Sequence, residues 1–324
     1  MATTGTTFSV RPVETHELDS WLGLRNQGFP WATNRARFAF NESLRPADEP
    51  VLYLGAWAAD GTVAATAECV VGEEGERYID RAESFIMVGP GYRGQGLGTR
   101  LAEEIGYFAR RNAIRWLEAM FYERDATSAK RFLVRRGFTE LERYQTSWQD
   151  PSRVDLENLD RLRTALQQRG IETAAFAEID SDATRHSLYR CGMQIEHDMP
   201  HEPLADWHDA PFETWIRKIL EAPGASADAI FVARDGDQVV GLSYLVMRGD
   251  GDAEVGDTGV IGSHRRRGIA RVLKMMATQW AAAHGIPRVH TDNRSDNAAM
   301  LAINTELGFE PSEVIIVFEK TLRR

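Results

Sequence analysis

Two short stretches of this chain can bind an anion with backbone atoms alone. Arg93-Gly94-Gln95-Gly96-Leu97-Gly98 and Arg265-Arg266-Arg267-Gly268-Ile269-Ala270 each follow an apolar strand pattern and open a helical one. Where a strand turns into a helix, the first backbone N–H groups have no intrahelical partner, and the helix dipole adds positive potential at the same spot. Small residues let phosphate oxygens approach the backbone, so such a turn suits a pyrophosphate. The donors in the first stretch are expected to be Gly94, Gln95, Gly96, Leu97, Gly98 and Thr99. In the second they are Arg266, Arg267, Gly268, Ile269 and Ala270. Charge beside them comes from Arg93 and Arg100 in one case and from Arg265, Arg266 and Arg267 in the other. The competing reading is a close-packed strand–helix turn with no ligand. A dinucleotide fold needs its Gly-rich turn in an early βαβ unit, whereas antiparallel hairpins precede it here. A triphosphate loop needs Gly-Lys-Ser or Gly-Lys-Thr, which the chain lacks.

The elements that position these turns recur. The second turn lies 172 residues after the first, Gly308-Phe309 lies 171 after Gly137-Phe138, and Asp235-Gly236 lies 175 after Asp60-Gly61. Landmarks in one order at nearly one offset imply a duplication. Asp-Gly between apolar runs marks a hairpin. After each turn, Leu101, Ile105 and Phe108, or Val272, Leu273, Met276 and Trp280, recur at the three-and-four spacing of one helix face. The first half reads as a strand at 8–10, a helix at 18–26, a hairpin over 51–57 and 62–71, and a strand at 84–88. The turn and its helix follow, then a strand at 115–121, a helix at 127–136 ended by Gly137, and a strand at 139–147. The second half repeats this: 173–176, helices at 183–193 and 212–221, a hairpin over 230–233 and 239–247, and a strand at 254–260. After its turn and helix come a strand at 288–291, a helix at 297–307 and a last strand at 314–319. The polar helical stretch 154–168 belongs to a junction. The expected domains are residues 1–150 and 170–324, joined through 151–169.

Bulk properties narrow the partners. The formal net charge is −10, which disfavours nucleic acid and anionic membrane surfaces; it either serves solubility alone or favours a cationic acceptor. The two cysteines, Cys69 and Cys191, form no Cys-x-x-Cys pair, so neither a disulfide scaffold nor structural zinc is expected. His201, Asp206 and His208 lack regular ligand spacing, so no metal is assigned. No basic and apolar leader opens the chain and no run reaches the roughly 20 apolar residues of a membrane helix. A cytoplasmic monomer or homodimer is expected.

At this point the chain resembles the GNAT superfamily of acyl-CoA N-acyltransferases. The hallmark is Arg/Gln-x-x-Gly-x-Gly/Ala after a strand; residues 85–98 and 258–270 carry it, with Ala270 in the last small position of the second copy. The resemblance covers nearly the whole chain as two tandem copies, like bacterial two-domain members. It implies, for each copy, an α/β (α+β) fold: a mixed, mostly antiparallel sheet flanked by helices, with two neighbouring strands splayed around coenzyme A. Those strands correspond to 84–88 with 115–121, and to 254–260 with 288–291. The backbone of Val88 and Val260 is then expected to hold the pantetheine arm and polarise the thioester carbonyl, with Asn293 and Asn297 as further coenzyme A contacts in the second half.

The implied chemistry is acetyl transfer from acetyl-CoA to the amine of a small molecule, with no metal. The alternative is a non-catalytic acyl-CoA sensor or scaffold. An amine with a pKa near 10 must lose a proton before it attacks, and the candidate bases are Glu68 and Glu83 in the first half and Glu254 and Asp257 in the second. The family often protonates the departing thiolate with a Tyr four residues before Gly-Phe, and Leu133 and Asn304 stand there instead. Ala126 replaces a coenzyme A-contacting Asn that the second half keeps as Asn297. The second half is therefore the expected active one. Trp31 and Trp207 are packing anchors or acceptor-site walls. Segments 28–41 and 196–212 are the expected acceptor loops, without a motif that names the acceptor.

Overall fold

The computed structural model describes residues 7–71, 80–198 and 209–322. It divides into two units. Of the described residues, the first unit takes 7–71, 80–143 and 313–322, and the second takes 144–198 and 209–312.

The first half contains β1 (Ser9–Pro12), α1 (Leu18–Arg25), α2 (Arg35–Leu44), β2 (Val51–Trp57), β3 (Val63–Val71), β4 (Arg81–Val88), α3 (Leu97–Arg111), β5 (Trp116–Tyr122), α4 (Ala126–Val134) and β6 (Thr139–Gln149). Helix α2 occupies part of the segment expected as an acceptor loop. Asn34 caps it, its side chain accepting from the Arg37 N–H at 2.9 Å. Helix α3 buries Leu97, Leu101, Ile105 and Ala109; of the expected stripe Leu101 and Ile105 are buried, while Phe108 is half-buried at its edge. The second half continues with α5 (Leu159–Gln167), β7 (Ile171–Ala175), α6 (Asp182–His197), α7 (Phe212–Leu220), β8 (Ile230–Asp235), β9 (Gln238–Met247), β10 (Ala253–Val260), α8 (Ile269–Ala283), β11 (Val289–Arg294), α9 (Ala298–Glu306) and β12 (Glu310–Thr321).

Each unit has one six-stranded stretch of sheet, ordered β1-β2-β3-β4-β5-β12 in the first and β7-β8-β9-β10-β11-β6 in the second. Within each, β4–β5 or β10–β11 is parallel and the other pairs are antiparallel. This is the mixed, mostly antiparallel fold with flanking helices that the resemblance implied.

The last strands are exchanged. In the first unit β5 pairs with β12, from Tyr122↔Ile315 to Trp116↔Thr321; in the second, β11 pairs with β6, from Arg294↔Tyr144 to Val289↔Gln149. The inward residues match their destinations. Ile316 and Phe318 are 1 % exposed in the apolar core of the first unit, with the Phe318 ring 5.6 Å from that of Phe121. Gln149, inward on β6, finds a hydroxyl on α8, its Nε2 donating to Thr278 Oγ1 at 2.9 Å.

Candidate functional site

In both units the parallel strands part near the turn. Strand β4 pairs with β5 from Arg81↔Trp116 to Ser84↔Ala119, and Phe85–Val88 carry on alone on that side. Strand β10 pairs with β11 only at Ala253↔Val289 and Glu254↔His290, leaving the rest of β10 to Val260 free there. Backbone groups facing such a gap have no ladder partner, and a ligand can take them.

Each gap leads to its turn. Gly96 and Gly268 precede α3 and α8 with φ of 83° and 84°, in the left-handed region open to glycine. Among the described residues, none of the N–H groups from Gly94 to Thr99 has a protein partner; the first one used is Arg100, bonded to the Gly96 carbonyl at 3.1 Å. The same holds from Arg266 through Gly268, Ile269 and Ala270 to Arg271, with Val272 bonded to the Gly268 carbonyl at 3.2 Å. The converging free donors suit a pyrophosphate. Arg93 and Arg265 are committed elsewhere: the Nε of each donates back to a strand-end carbonyl, Val88 at 3.2 Å and Val260 at 3.0 Å. Arg265 also reaches Asp198 at 2.9 Å. Arg266 has φ of 60° where the first copy has Gly94 at 76°.

The candidate bases have different surroundings. Glu68 is buried and clamped by Arg25, whose Nε and Nη2 donate to its two oxygens at 2.7 and 2.9 Å. Glu83 lies in the part of β4 still paired with β5, beside Glu118. Glu254 is the last β10 residue paired before the gap and lies 4.0 Å from Arg248. Asp257 sits on a β-bulge. The register between β10 and β9 slips between Val255 and Thr258, so that Gly256 and Asp257 share one place in the ladder. A Cβ at Gly256 would overlap the Tyr244 ring. Tyr244 donates to Asp257 Oδ2 at 3.0 Å, and burial, followed by the Asp257 charge, holds its phenol well above the usual range. The first unit has no such slip: β3 and β4 pair without interruption from Val71↔Ala82 to Ala65↔Val88.

Asn304 is buried on α9, and its Nδ2 donates to Asn293 Oδ1 on β11 at 2.6 Å while its own Oδ1 has no partner. Asn297 caps α9 through the Met300 N–H at 3.2 Å. Two residues that sequence reasoning missed belong here. Tyr244 carries no signal beyond an aromatic in a strand, and Lys274 none beyond a cation within a helical pattern.

In the first unit, residues 28–31 lie over the gap. The Phe29 ring is 4.9 Å from that of Phe85 on β4, Gly28 packs against Met87, and Tyr122 at the end of β5 donates to the Pro30 carbonyl at 3.2 Å. The Arg25 guanidinium covers Phe29 at 3.6 Å. Trp207 and the His201, Asp206 and His208 group lie outside the described residues. Cys69 and Cys191 are free and buried, each thiol pushed up to about 12 by burial. Among the described residues no helix is long and apolar enough to cross a membrane, and no three His, Cys, Asp or Glu side chains are grouped as metal ligands.

Comparison with known proteins places this geometry in context. The model of the acetyltransferase (GNAT) family matches residues 14–138 and again 193–309. A mycothiol acetyltransferase of Nocardia farcinica is 24 % identical over 247 residues, 73 % of this chain and 74 % of that one. A GCN5-related N-acetyltransferase of Sphaerobacter thermophilus superposes with a TM-score of 0.71 at 17 % identity, covering 98 % of this chain and 96 % of the other. A tandem GNAT protein from the clavulanic acid biosynthesis pathway gives 0.70 at 17 % identity, with 97 % and 98 % covered.

Proposed function

Since the chain belongs to the acetyltransferase (GNAT) family, in two tandem copies, we propose that it moves an acetyl group from acetyl-CoA to the amine of a small molecule, and that the second unit does so. The observation that carries the choice of unit is the bulge at Gly256 and Asp257, which only the second unit has.

The residues fit coenzyme A. The free N–H groups at 266–270 would hold its pyrophosphate, and those at 94–99 could hold a second molecule. The Val260 backbone, Asn293 and the cap residue Asn297 would line the pantetheine arm. Coenzyme A supplies an activated acyl thioester. The chain supplies the rest. Asp257, aimed by the bulge and oriented by the Tyr244 hydroxyl, takes a proton from the acceptor ammonium and leaves the nitrogen lone pair free to attack. Glu254 and Glu83 are the secondary candidates. Carboxylates next to the gap favour a cationic acceptor. In the first unit Glu68 is bound to Arg25 and residues 28–31 cover the gap, which supports a binding or structural role there.

Separate Gly268→Glu and Gly96→Glu chains test this, with free thiol release from acetyl-CoA measured over a panel of amines and coenzyme A binding measured by calorimetry. A carboxylate in the second turn should abolish turnover, and one in the first should spare it. Coenzyme A binding without turnover on any amine would favour the sensor reading. Loss of turnover only in the Gly96 variant would reverse the assignment of units.

A further inference from the structure

We propose that Lys274 is the proton donor to the departing sulfur in the second unit. The inference rests on the reading that this unit transfers acyl groups from coenzyme A.

Lys274 is 3 % exposed, and no hydrogen-bond or ion-pair partner reaches its Nζ among the described residues. The nitrogen is not among the fully enclosed atoms that lack a partner, so it keeps a little solvent contact in an otherwise buried residue, and a largely desolvated ammonium is costly. At the equivalent position of the first copy, α3 carries Ala102.

The position of Lys274 follows from its neighbours. It lies on the stripe of α8 that holds Arg271 one turn before it and Thr278 one turn after. Arg271 pairs with Glu306 on α9 at 2.7 Å, and Thr278 accepts from Gln149 on β6. The Nζ lies 5.1 Å from the centroid of the Phe309 ring, and the Phe309 N–H donates to the Asn304 carbonyl at 2.9 Å. The Asp292 charge, next to Asn293 on β11, favours the protonated form. The ammonium thus lies by the Phe309 ring, whose backbone is tied to that of Asn304. Asn304 stands where the family resemblance expects a phenol, and its buried Oδ1 lacks a donor. Where the second copy has Lys274, Thr291, Asn293 and Asn304, the first has Ala102, Ala119, Phe121 and Leu133. These four polar positions are apolar in the first copy.

Its acidity suits the task. Burial lowers the ammonium to about 8, with Asp292 opposing part of the shift. An ordinary thiol titrates at about 8.5, so a proton passes between the two at little cost. At neutral pH Lys274 still carries the proton it must give. As the acceptor nitrogen bonds to the acyl carbon and the carbon–sulfur bond breaks, Lys274 Nζ gives one proton to the sulfur. The nitrogen sheds its surplus proton to water, and water restores the ammonium. The sum is amine plus thioester giving amide plus thiol.

Lys274→Met tests this with two readouts. The first is the pH titration of thiolate absorbance for coenzyme A bound to the second unit, in a chain whose first turn is blocked by Gly96→Glu. A neighbouring ammonium lowers a thiol's pKa, so the bound thiol should titrate about one unit lower with Lys274 in place than in the Lys274→Met chain. The second is turnover against leaving group. The variant should lose about 100-fold with acetyl-CoA and much less with an acetyl thioester of a more acidic aryl thiol. Circular dichroism and thermal melting confirm the fold of the variant. An unchanged thiol titration, or an equal loss with every leaving group, overturns the proposal while the reading of the second unit stands. A wild-type chain that neither binds coenzyme A nor releases thiol overturns both.

Discussion

Lys274 and Glu68 are both buried charges, yet they have opposite surroundings. Lys274 is unpaired, and burial holds its ammonium at about 8, below the 10.5 of an exposed lysine. The unfolded chain therefore binds this proton more tightly. Between about pH 8 and 10.5 the folded protein gains stability as pH rises; below 8 it bears the full penalty, about 3 kcal/mol from a shift of that size. Lys274→Met is expected to raise the melting temperature at pH 7 and to flatten the rise in stability toward pH 10, as thermal scans over that range will show. Glu68 has both oxygens bound to Arg25. Removing one partner of a buried pair leaves the other uncompensated, so Glu68→Ala should cost about 3–5 kcal/mol in denaturant unfolding. Thiol release per folded molecule should stay unchanged, since the carboxylate is committed to structure.

At the scale of elements, the turn before α8 combines a free anion site with local strain. Arg266 holds φ of 60°, a left-handed conformation that costs a side-chain-bearing residue about 1–2 kcal/mol. The first copy avoids this with Gly94. Arg266→Gly should stabilise the chain by up to about 1 kcal/mol, because glycine's added freedom in the unfolded state offsets part of the relief. It should also weaken coenzyme A binding and reduce its salt dependence, measurable by calorimetry at two ionic strengths. The β-bulge differs in kind: it carries Asp257, which accepts from the Tyr244 hydroxyl, and depends on a glycine at 256, because the Tyr244 ring occupies the space of a Cβ.

Across the whole molecule, the strand exchange makes the halves of the sequence interdependent. The first unit's β5 has β12, from the far end of the chain, as its antiparallel neighbour. A chain ending before Glu310 should therefore expose the β5 edge with Met120 and Phe121, an aggregation-prone arrangement. Amide hydrogen exchange is expected to accelerate in β5 and in the first unit's core, while β8, β9 and β10 stay protected. Equal loss of protection in the second unit would show that β12 is not specific to the first.

The duplication, the strand-to-helix turns, the hairpins and the buried stripes of α3 and α8 were legible in the sequence, because each rests on local chemistry: spacing at helical or strand period, Asp-Gly turns, and glycines where φ is positive. The family followed from the same local pattern. Tertiary structure alone decided which sheet receives each last strand, because β6 and β12 both read as ordinary final strands and their partners are set by the side chains that meet inside. It alone placed Glu68 in an ion pair 43 residues from its partner Arg25 and set Asp257 on a bulge against Tyr244. It also buried Lys274 by the Phe309 ring. Periodicity along the chain fixes which side of a helix faces inward, but not which distant side chain it will meet.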